Sequence, residues 1–196
     1  MRILNKLKGI ALFISLLYLT FYIPMSLTFY MPQWMKINCG WHDRCDKIGY
    51  DDAYRGIEEL TAYFRHQGEG LLHFWTWKEK THLEEVRGIF DKLLIGGLAA
   101  AVLIFLTFDR RRASRYALAN AIIILFLLVV LPFFGTFWKD IFHPLIFKND
   151  LWMNNKYDLS FYIMPRRFFM YTVALLIALC FGINMAIWAL LRRGSK

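Results

Sequence analysis

Four stretches of this chain are too long and too apolar to be dissolved in water, and they constrain every fold open to it. They cover about residues 9–30 ("GIALFISLLYLTFYIPMSLTFY"), 93–108 ("LLIGGLAAAVLIFLTF"), 116–137 and 168–191. A hydrocarbon core of about 30 Å is crossed by about 20 helical residues, so each stretch fits one passage, the second being prolonged by a helix that starts above it. Lipid offers backbone groups no hydrogen-bond partner, so each passage is a helix. Pro24 and Pro132 fall near the outer ends, where a kink is tolerated. The opening "MRILNKLK" has the charge of a signal-peptide n-region, but the apolar run behind it is too long and no small-x-small cleavage site follows; it is expected to remain as a helix. Of the 196 residues, 58% are apolar, more than a water-soluble core of this size can hide. The reading is an all-α membrane protein: one membrane domain over residues 1–196 with four transmembrane helices.

Charge orients the helices. A net charge of +9 in a soluble protein would point to nucleic acid. Here all of it sits in three short flanks. The first carries Arg2, Lys6 and Lys8, the link "DRRRASR" carries Arg110, Arg111, Arg112 and Arg115, and the ending "RRGSK" adds Arg192, Arg193 and Lys196. Asp109 is their one acid, so the rest of the chain sums to zero. The positive-inside rule puts both termini and the link in the cytoplasm. The basic runs are then topology signals with no ligand of their own, and no nucleic-acid partner is called for. The site of residence is the cytoplasmic membrane, crossed several times, with N-in and C-in ends. Two extracytoplasmic loop segments follow, at about residues 31–91 and 135–167. They hold all five histidines and six of the seven tryptophans. Trp34, Trp75, Trp77, Trp138 and Trp152 stand where an interfacial aromatic belt would form.

Within the first outer segment, "GYDDAYRGIEELTAYFRHQGEG" reads as an amphipathic helix with Tyr54, Ile57, Leu60 and Phe64 on one face, ended by glycines. "LLHFWTW" fits either a short strand or an interfacial segment. In "THLEEVRGIF", Thr81 and Glu84 fit a capping box, which starts the second long helix at Thr81 and places His82 in its first turn. Leu83, Val86 and Phe90 form an inward stripe that continues to Leu94. The positive end of the helix favours a neutral His82 ring, and Glu85 can hold that ring by accepting its second N–H. A neutral, oriented imidazole near a lipid headgroup is a candidate general base. The alternative is a histidine that is simply polar and interfacial.

"IFHPLIFKND" follows the third apolar run. Pro144 disfavours a helical conformation at His143, so its ring is expected on an extended piece of chain beside Phe142 and Phe147. Asn149, Asp150 and Trp152 come next, either to turn the chain or to line a polar pocket. His82 and Glu85 have a spacing that can chelate, but there is no HExxH and His42, His66 and His73 show no ligand spacing, so no metal is expected. Cys39 and Cys45, in "CGWHDRC", face the oxidising side and can form a local disulfide; they lack the CxxC spacing of a redox pair. Cys180 lies in a span. No GxSxG is present, and Ser160 is the only serine clearly in an outer segment, so acyl transfer here would not use a serine nucleophile.

In their order and on one side of the membrane, the patterns H-x-x-(D/E)-V-(K/R) at His82 to Arg87 and F-H-x-x-x-F-x-N-D-x-W at Phe142 to Trp152 carry a resemblance. The chain resembles the bacterial lipoprotein intramolecular transacylases, small four-span membrane proteins, over nearly its whole length. The Cys39/Cys45 loop departs from that family's pattern. The resemblance implies an acyltransferase acting at the outer leaflet on a diacylated lipoprotein. One acyl chain moves from the diacylglyceryl group to the α-amine of the lipidated N-terminal cysteine, giving an N-acyl lyso-lipoprotein. It implies no cofactor, because the ester is already activated, and membrane lipid and the lipoprotein as partners. His82 and His143 would be the catalytic pair, one as base and the other as oxyanion donor or shuttle, with Glu85 and Asp150 orienting them and Asn149 and Trp152 shaping the pocket. Two other classes remain open on the residues alone: a non-catalytic outer-leaflet accessory protein that binds lipidated substrates, and a thiol oxidoreductase using Cys39 and Cys45. The sequence says nothing of oligomeric state.

Overall fold

The computed structural model describes residues 2–72 and 74–193. His73, one of the histidines without ligand spacing, and the end of the chain with Lys196 lie outside the described residues. Every regular element among the described residues is helical, so "LLHFWTW" contributes no strand among them. In chain order the elements are α1 (Arg2–Tyr30), α2 (Pro32–Cys39), α3 (Arg44–Ile48), α4 (Tyr50–Phe64), α5 (Trp77–Thr107) and α6 (Arg110–Phe126). A tight 3₁₀ stretch (Leu127–Phe133), α7 (Phe134–Thr136), a π-helical turn (Phe137–Phe142) and α8 (His143–Ile146) then prolong α6, and α9 (Leu159–Ile163) and α10 (Arg166–Arg193) complete the chain.

Four helical rods are long and apolar enough to cross a membrane: α1, α5, the composite Arg110–Ile146, and α10. Only 17–28% of the most apolar window of each is buried inside the protein, the inverse of a helix built for water. Phe105, Leu106 and Phe126 point their side chains outward at 64–85% exposure, as lipid-facing residues do. The 31 residues of α5 span about 46 Å, well beyond a hydrocarbon core of about 30 Å. Its first half explains the excess. Residues 77–92 carry Lys78, Glu79, Lys80, Glu84, Glu85, Arg87, Asp91 and Lys92, so the span proper begins near Leu93.

Local chemistry sets the breaks. Asp109, the one acid of the basic link, caps α6 by accepting the Arg112 N–H at 2.8 Å. Pro132 has no N–H to give and sits in the 3₁₀ stretch. The chain folds as two compact units.

The first unit comprises Met1–Met25, Asp91–Leu131 and Val173–Lys196. Its helices meet through small residues. Ala113, Ala117 and Ala121 are fully buried one turn apart on α6. Gly96 and Gly97 on α5 are covered by the rings of Tyr18 and Tyr22; a Cβ at Gly97 would stand 2.9 Å from the Tyr22 ring. Tyr18 donates to the Leu93 carbonyl at 2.8 Å. The buried line on α5 therefore runs through Gly97 and Ala100, and Leu94 is exposed, contrary to the expected apolar stripe. The glycines let tyrosine rings fill the place a leucine would have taken.

The second unit comprises Ser26–Phe90 and Pro132–Thr172. α4 buries Ala53, Gly56, Ile57, Leu60, Thr61 and Phe64, the face its periodicity predicts, and Phe64 joins Phe29, Tyr30 and Phe90 in one aromatic cluster. Leu159 of α9 lies over Gly56, where a Cβ would be only 2.6 Å from it. Cys39 and Cys45 form a disulfide with a Cα–Cα separation of 5.7 Å, and both are fully buried. Next to it, Arg44 donates to the Phe161 carbonyl at 2.8 Å and lies 3.9 Å over the Phe161 ring, which pins α3 to α9.

Candidate active site

α5 begins one turn earlier than the Thr81–Glu84 pattern predicts. The capping box is Thr76 with Glu79. The Thr76 hydroxyl accepts the Glu79 N–H at 3.3 Å, and Glu79 Oε2 accepts the Thr76 N–H at 2.9 Å. Thr81 instead donates to the Trp77 carbonyl, and Glu84 is exposed. "TWKE" and "THLE" both match the signature; burial chooses between them, since Glu79 is 2% exposed. His82 is consequently in the second turn. The helix-terminus field falls off within one turn, so it is not the main influence on the ring.

Glu79 ties this start to the second outer segment. Its Oε1 accepts the Ser160 N–H at 2.7 Å and the Ser160 hydroxyl at 2.6 Å. Ser160 is buried, its hydroxyl and N–H both held by Glu79. Alongside, Asp158 accepts from Lys78 at 2.5 Å and from the Asn155 N–H at 2.7 Å. Burial alone would raise the Asp158 carboxyl, but the hydrogen bonds from Lys78, Asn155 and Thr76 outweigh it and hold the group below its ordinary value. The Lys78–Asp158 and Glu79–Ser160 partners lie 80 or more residues apart in sequence, and no local pattern announces them.

His143 is helical, with φ −66° and ψ −48°, not extended. An α-helical Pro144 would strike the carbonyl four residues back and leave it without a donor. The chain answers by widening into the π turn Phe137–Phe142 immediately before it. That turn supplies the site's most specific polar contact. His143 Nδ1–H donates to the Trp138 carbonyl at 2.7 Å, because a carbonyl can only accept. The neutral ring is thereby held in one tautomer, with its lone pair on Nε2. Aromatic rings enclose it. Trp152 stacks on the imidazole at 4.2 Å between centroids, and Trp138 meets it edge-on at 4.5 Å. Trp138 and Trp152 thus wall a histidine. Trp75 is also buried, Trp34 donates to Thr172 at 2.8 Å, and Trp77 of the five is widely exposed.

His82 and His143 come together at Phe147. Its ring centroid lies 4.6 Å from that of His82 and 5.8 Å from that of His143. Phe147 was visible in the sequence only as a neighbour of His143; the structure makes it the shared wall. Asn149 Nδ2 donates to Glu85 Oε1 at 2.7 Å, closing the second loop onto α5. Glu85 Oε2 stands 3.6 Å from His82 Nδ1, which is buried and unbonded. Asp150 is exposed, its carbonyl accepts the Met153 N–H, and its carboxylate reaches neither histidine. Of Glu85 and Asp150, the carboxylate that faces a histidine is Glu85, beside His82.

His82 precedes the apolar run that begins near Leu93 and His143 follows the one that ends near Phe137, and both have pKa values below the ordinary value. For His82 burial is the main cause; Glu85 opposes it, and the charge of His143 adds to it. For His143 burial again leads, opposed by the bond to the Trp138 carbonyl. Burial thus favours the neutral form of both rings. His42 belongs elsewhere: its Nδ1 accepts the Arg44 N–H at 3.3 Å in the disulfide loop. Among the described residues no three histidine, cysteine, aspartate or glutamate side chains converge to hold a metal ion. The arrangement is a pair of uncharged imidazoles in an aromatic pocket with one carboxylate beside it, suited to proton transfer at neutral pH.

No curated protein matches the chain in sequence. Solved structures do match the fold. The in meso structure of the membrane-integral lipoprotein intramolecular transacylase Lit from Bacillus cereus superposes with a TM-score of 0.85 at 16% identity, covering 98% of this chain and 96% of that one. Two variants of the Bacillus cereus protein, with one histidine replaced by alanine or by arginine, superpose at 0.79 and 19% identity, covering 97% and 98% of this chain and 93% and 95% of theirs. Residues 8–169, most of the length, match the family described as lipoprotein intramolecular transacylase Lit. The chain belongs to that family: it is a multi-pass membrane protein and an acyltransferase, a lipoprotein intramolecular transacylase.

Proposed function

We propose that the protein moves an acyl chain within one diacylated lipoprotein, from the diacylglyceryl group to the α-amine of the lipidated N-terminal cysteine, using His82 and His143. The reaction takes place on the extracytoplasmic side of the cytoplasmic membrane, the side that the charge distribution assigns to residues 31–91 and 135–167. The observation that supports the reading is the Phe147 ring, which contacts the imidazoles of both His82 and His143, from distant segments of the chain.

An α-amine has a pKa near about 8, so much of it is protonated at neutral pH and gives its first proton to water before attack. His82 takes the second proton as the amine nitrogen adds to the ester carbonyl. The tetrahedral intermediate collapses, the bond from carbonyl carbon to glycerol oxygen breaks, and the amide forms. The proton passes to the glycerol oxygen, directly or through Nε2 of His143. The tautomer narrows the role of His143. With Nδ1–H committed to Trp138, the neutral ring offers only a lone pair at Nε2. It suits a proton shuttle better than an oxyanion donor. Ester and amine belong to one substrate, so holding them together supplies much of the rate. The test replaces each histidine singly by alanine and follows lyso-lipoprotein formation by mass spectrometry; loss in both variants is expected, and retained activity in either removes that residue.

A further inference from the structure

The first unit contains a cavity of about 530 Å³ that the acyl-transfer chemistry does not use. Its walls come from the beginnings of α1 and α6. Arg2, Lys6 and Arg112 supply three cations to the lining, and no carboxylate lines it. Ile10, Phe13 and Tyr116 supply an apolar wall below them. The cavity is held open by specific contacts. Arg112 Nη1 donates to the Asn5 carbonyl at 2.9 Å, which fixes its guanidinium across to α1. Gly9 lets the Tyr116 hydroxyl approach, since a Cβ there would lie 2.8 Å from it. Phe13 packs edge-on against Tyr116 at 5.5 Å. As topology signals, Arg2, Lys6 and Arg112 need only be on the correct side of the membrane; nothing in that role requires a shared concavity. Asp109 Oδ2 stands 4.0 Å from Arg112 Nε, outside the lining, and offsets one of the three charges; the remaining positive charge around the cavity favours an anion in it.

We propose that this cavity binds the headgroup of an anionic glycerophospholipid from the leaflet at the basic ends of the helices, the phosphate between Arg2, Lys6 and Arg112 and an acyl chain along Ile10 and Phe13. The wall decides between sources of phosphate: Ile10 is 55% exposed and apolar, a surface that a lipid chain covers and a free phosphate ion leaves wet. The site is independent of the proposed histidine chemistry.

The test uses the full-length protein, purified in a neutral detergent, and measures binding of phosphatidylglycerol, phosphatidylcholine and inorganic phosphate by native mass spectrometry. Phosphatidylglycerol is expected to bind preferentially. The Arg2→Gln/Lys6→Gln variant is expected to bind it about 30-fold more weakly, about five-fold for each cation removed. Arg111→Gln/Arg115→Gln removes the same charge from exposed positions outside the cavity and is expected to stay within about two-fold of the unaltered protein. Ile10→Trp keeps every charge but fills the apolar wall, and it is expected to weaken the lipid without affecting folding at this exposed position. Equal losses in the two charge variants, no preference over phosphatidylcholine, or displacement of the lipid by millimolar phosphate would each overturn the proposal.

Discussion

Replacing Glu79 by alanine tests how the start of α5 is held. The substitution takes the acceptor from the Ser160 N–H and hydroxyl and from the Thr76 N–H, all within 2.6–2.9 Å of the carboxylate. Hydrogen bonds to a charged group contribute about 1.5–3 kcal/mol each, and a stranded buried donor costs about 1–3 kcal/mol. The Ser160 hydroxyl can turn elsewhere, so the two backbone N–H groups dominate, and the expected loss is about 3–5 kcal/mol. For a chain of this length about 1 kcal/mol shifts the melting temperature by about 2–4 °C, so a drop of about 10 °C is expected. Glu84→Ala is the paired control. Were Thr81–Glu84 the capping box, it would cost about 1 kcal/mol; exposed and uninvolved, it should stay within about 0.5 kcal/mol. Intrinsic tryptophan fluorescence during heating of the detergent-solubilised protein reads both variants. A Glu79→Ala shift below about 2 °C, or one matched by Glu84→Ala, would refute the reasoning.

The site's geometry sets further outcomes. Burial lowers both histidine pKa values, so the acid limb of kcat/KM should lie below about pH 6.5, the ordinary histidine value; Trp152→Ala uncovers His143 and should move that limb upward, read from a pH–rate profile. The same shift has a stability consequence: the unfolded chain binds protons that the folded one resists, so stability is fully present above about pH 6.5 and falls as pH drops toward the lowered values, measurable by thermal melts across pH. Cys39→Ser/Cys45→Ser opens a loop with a sequence separation of 6, costing about 2 kcal/mol in the chain-entropy account; activity per folded molecule should persist, and its loss in folded protein would revive a thiol-based reading. Glu85→Gln should lower kcat by about 10–100-fold with little change in KM, the size of one charge-assisted hydrogen bond, in a lyso-lipoprotein formation assay.

What the sequence made legible was whatever depends on composition and period. Four apolar runs gave four long helices, and the 3.6-residue period of α4 predicted Ile57, Leu60 and Phe64 as its buried face. Boundaries were less legible. Two capping signatures begin five residues apart, and only the distant Ser160, buried against Glu79, distinguishes them. Pro144 disfavours a helical His143, but that preference cannot say whether the chain extends or widens, and here the π turn before it lets His143 start a helical turn with Pro144 near its beginning. Asp150 fits a carboxylate–histidine pattern as well as Glu85 does; which one faces a ring depends on a loop closure, Asn149 onto Glu85, across 64 residues. The tryptophans show the same limit, since an interfacial belt and an aromatic pocket have the same composition.

The two histidines are prepared in opposite ways, and the difference bears on how a pair of neutral bases divides its work. His143 has its Nδ1–H satisfied before any reaction, by a backbone carbonyl at 2.7 Å. Its tautomer and direction are fixed, and Nε2 can accept and release a proton without the ring turning. His82 has the reverse condition. Its Nδ1 is buried with no partner, and the nearest acceptor, Glu85 Oε2, stands at 3.6 Å, beyond hydrogen-bond length. Asn149 grips the other carboxylate oxygen and keeps Oε2 aimed at the ring. An unbonded polar atom in an apolar pocket is costly while the ring is neutral, and an imidazolium there gains both a charge partner and a hydrogen bond once the gap closes. The interaction is therefore stronger after proton transfer than before it. Interactions of that kind raise kcat instead of only tightening substrate binding. On the proposed mechanism, the unmet bond at His82 Nδ1 is what makes His82 the first proton acceptor and His143, already satisfied, the relay.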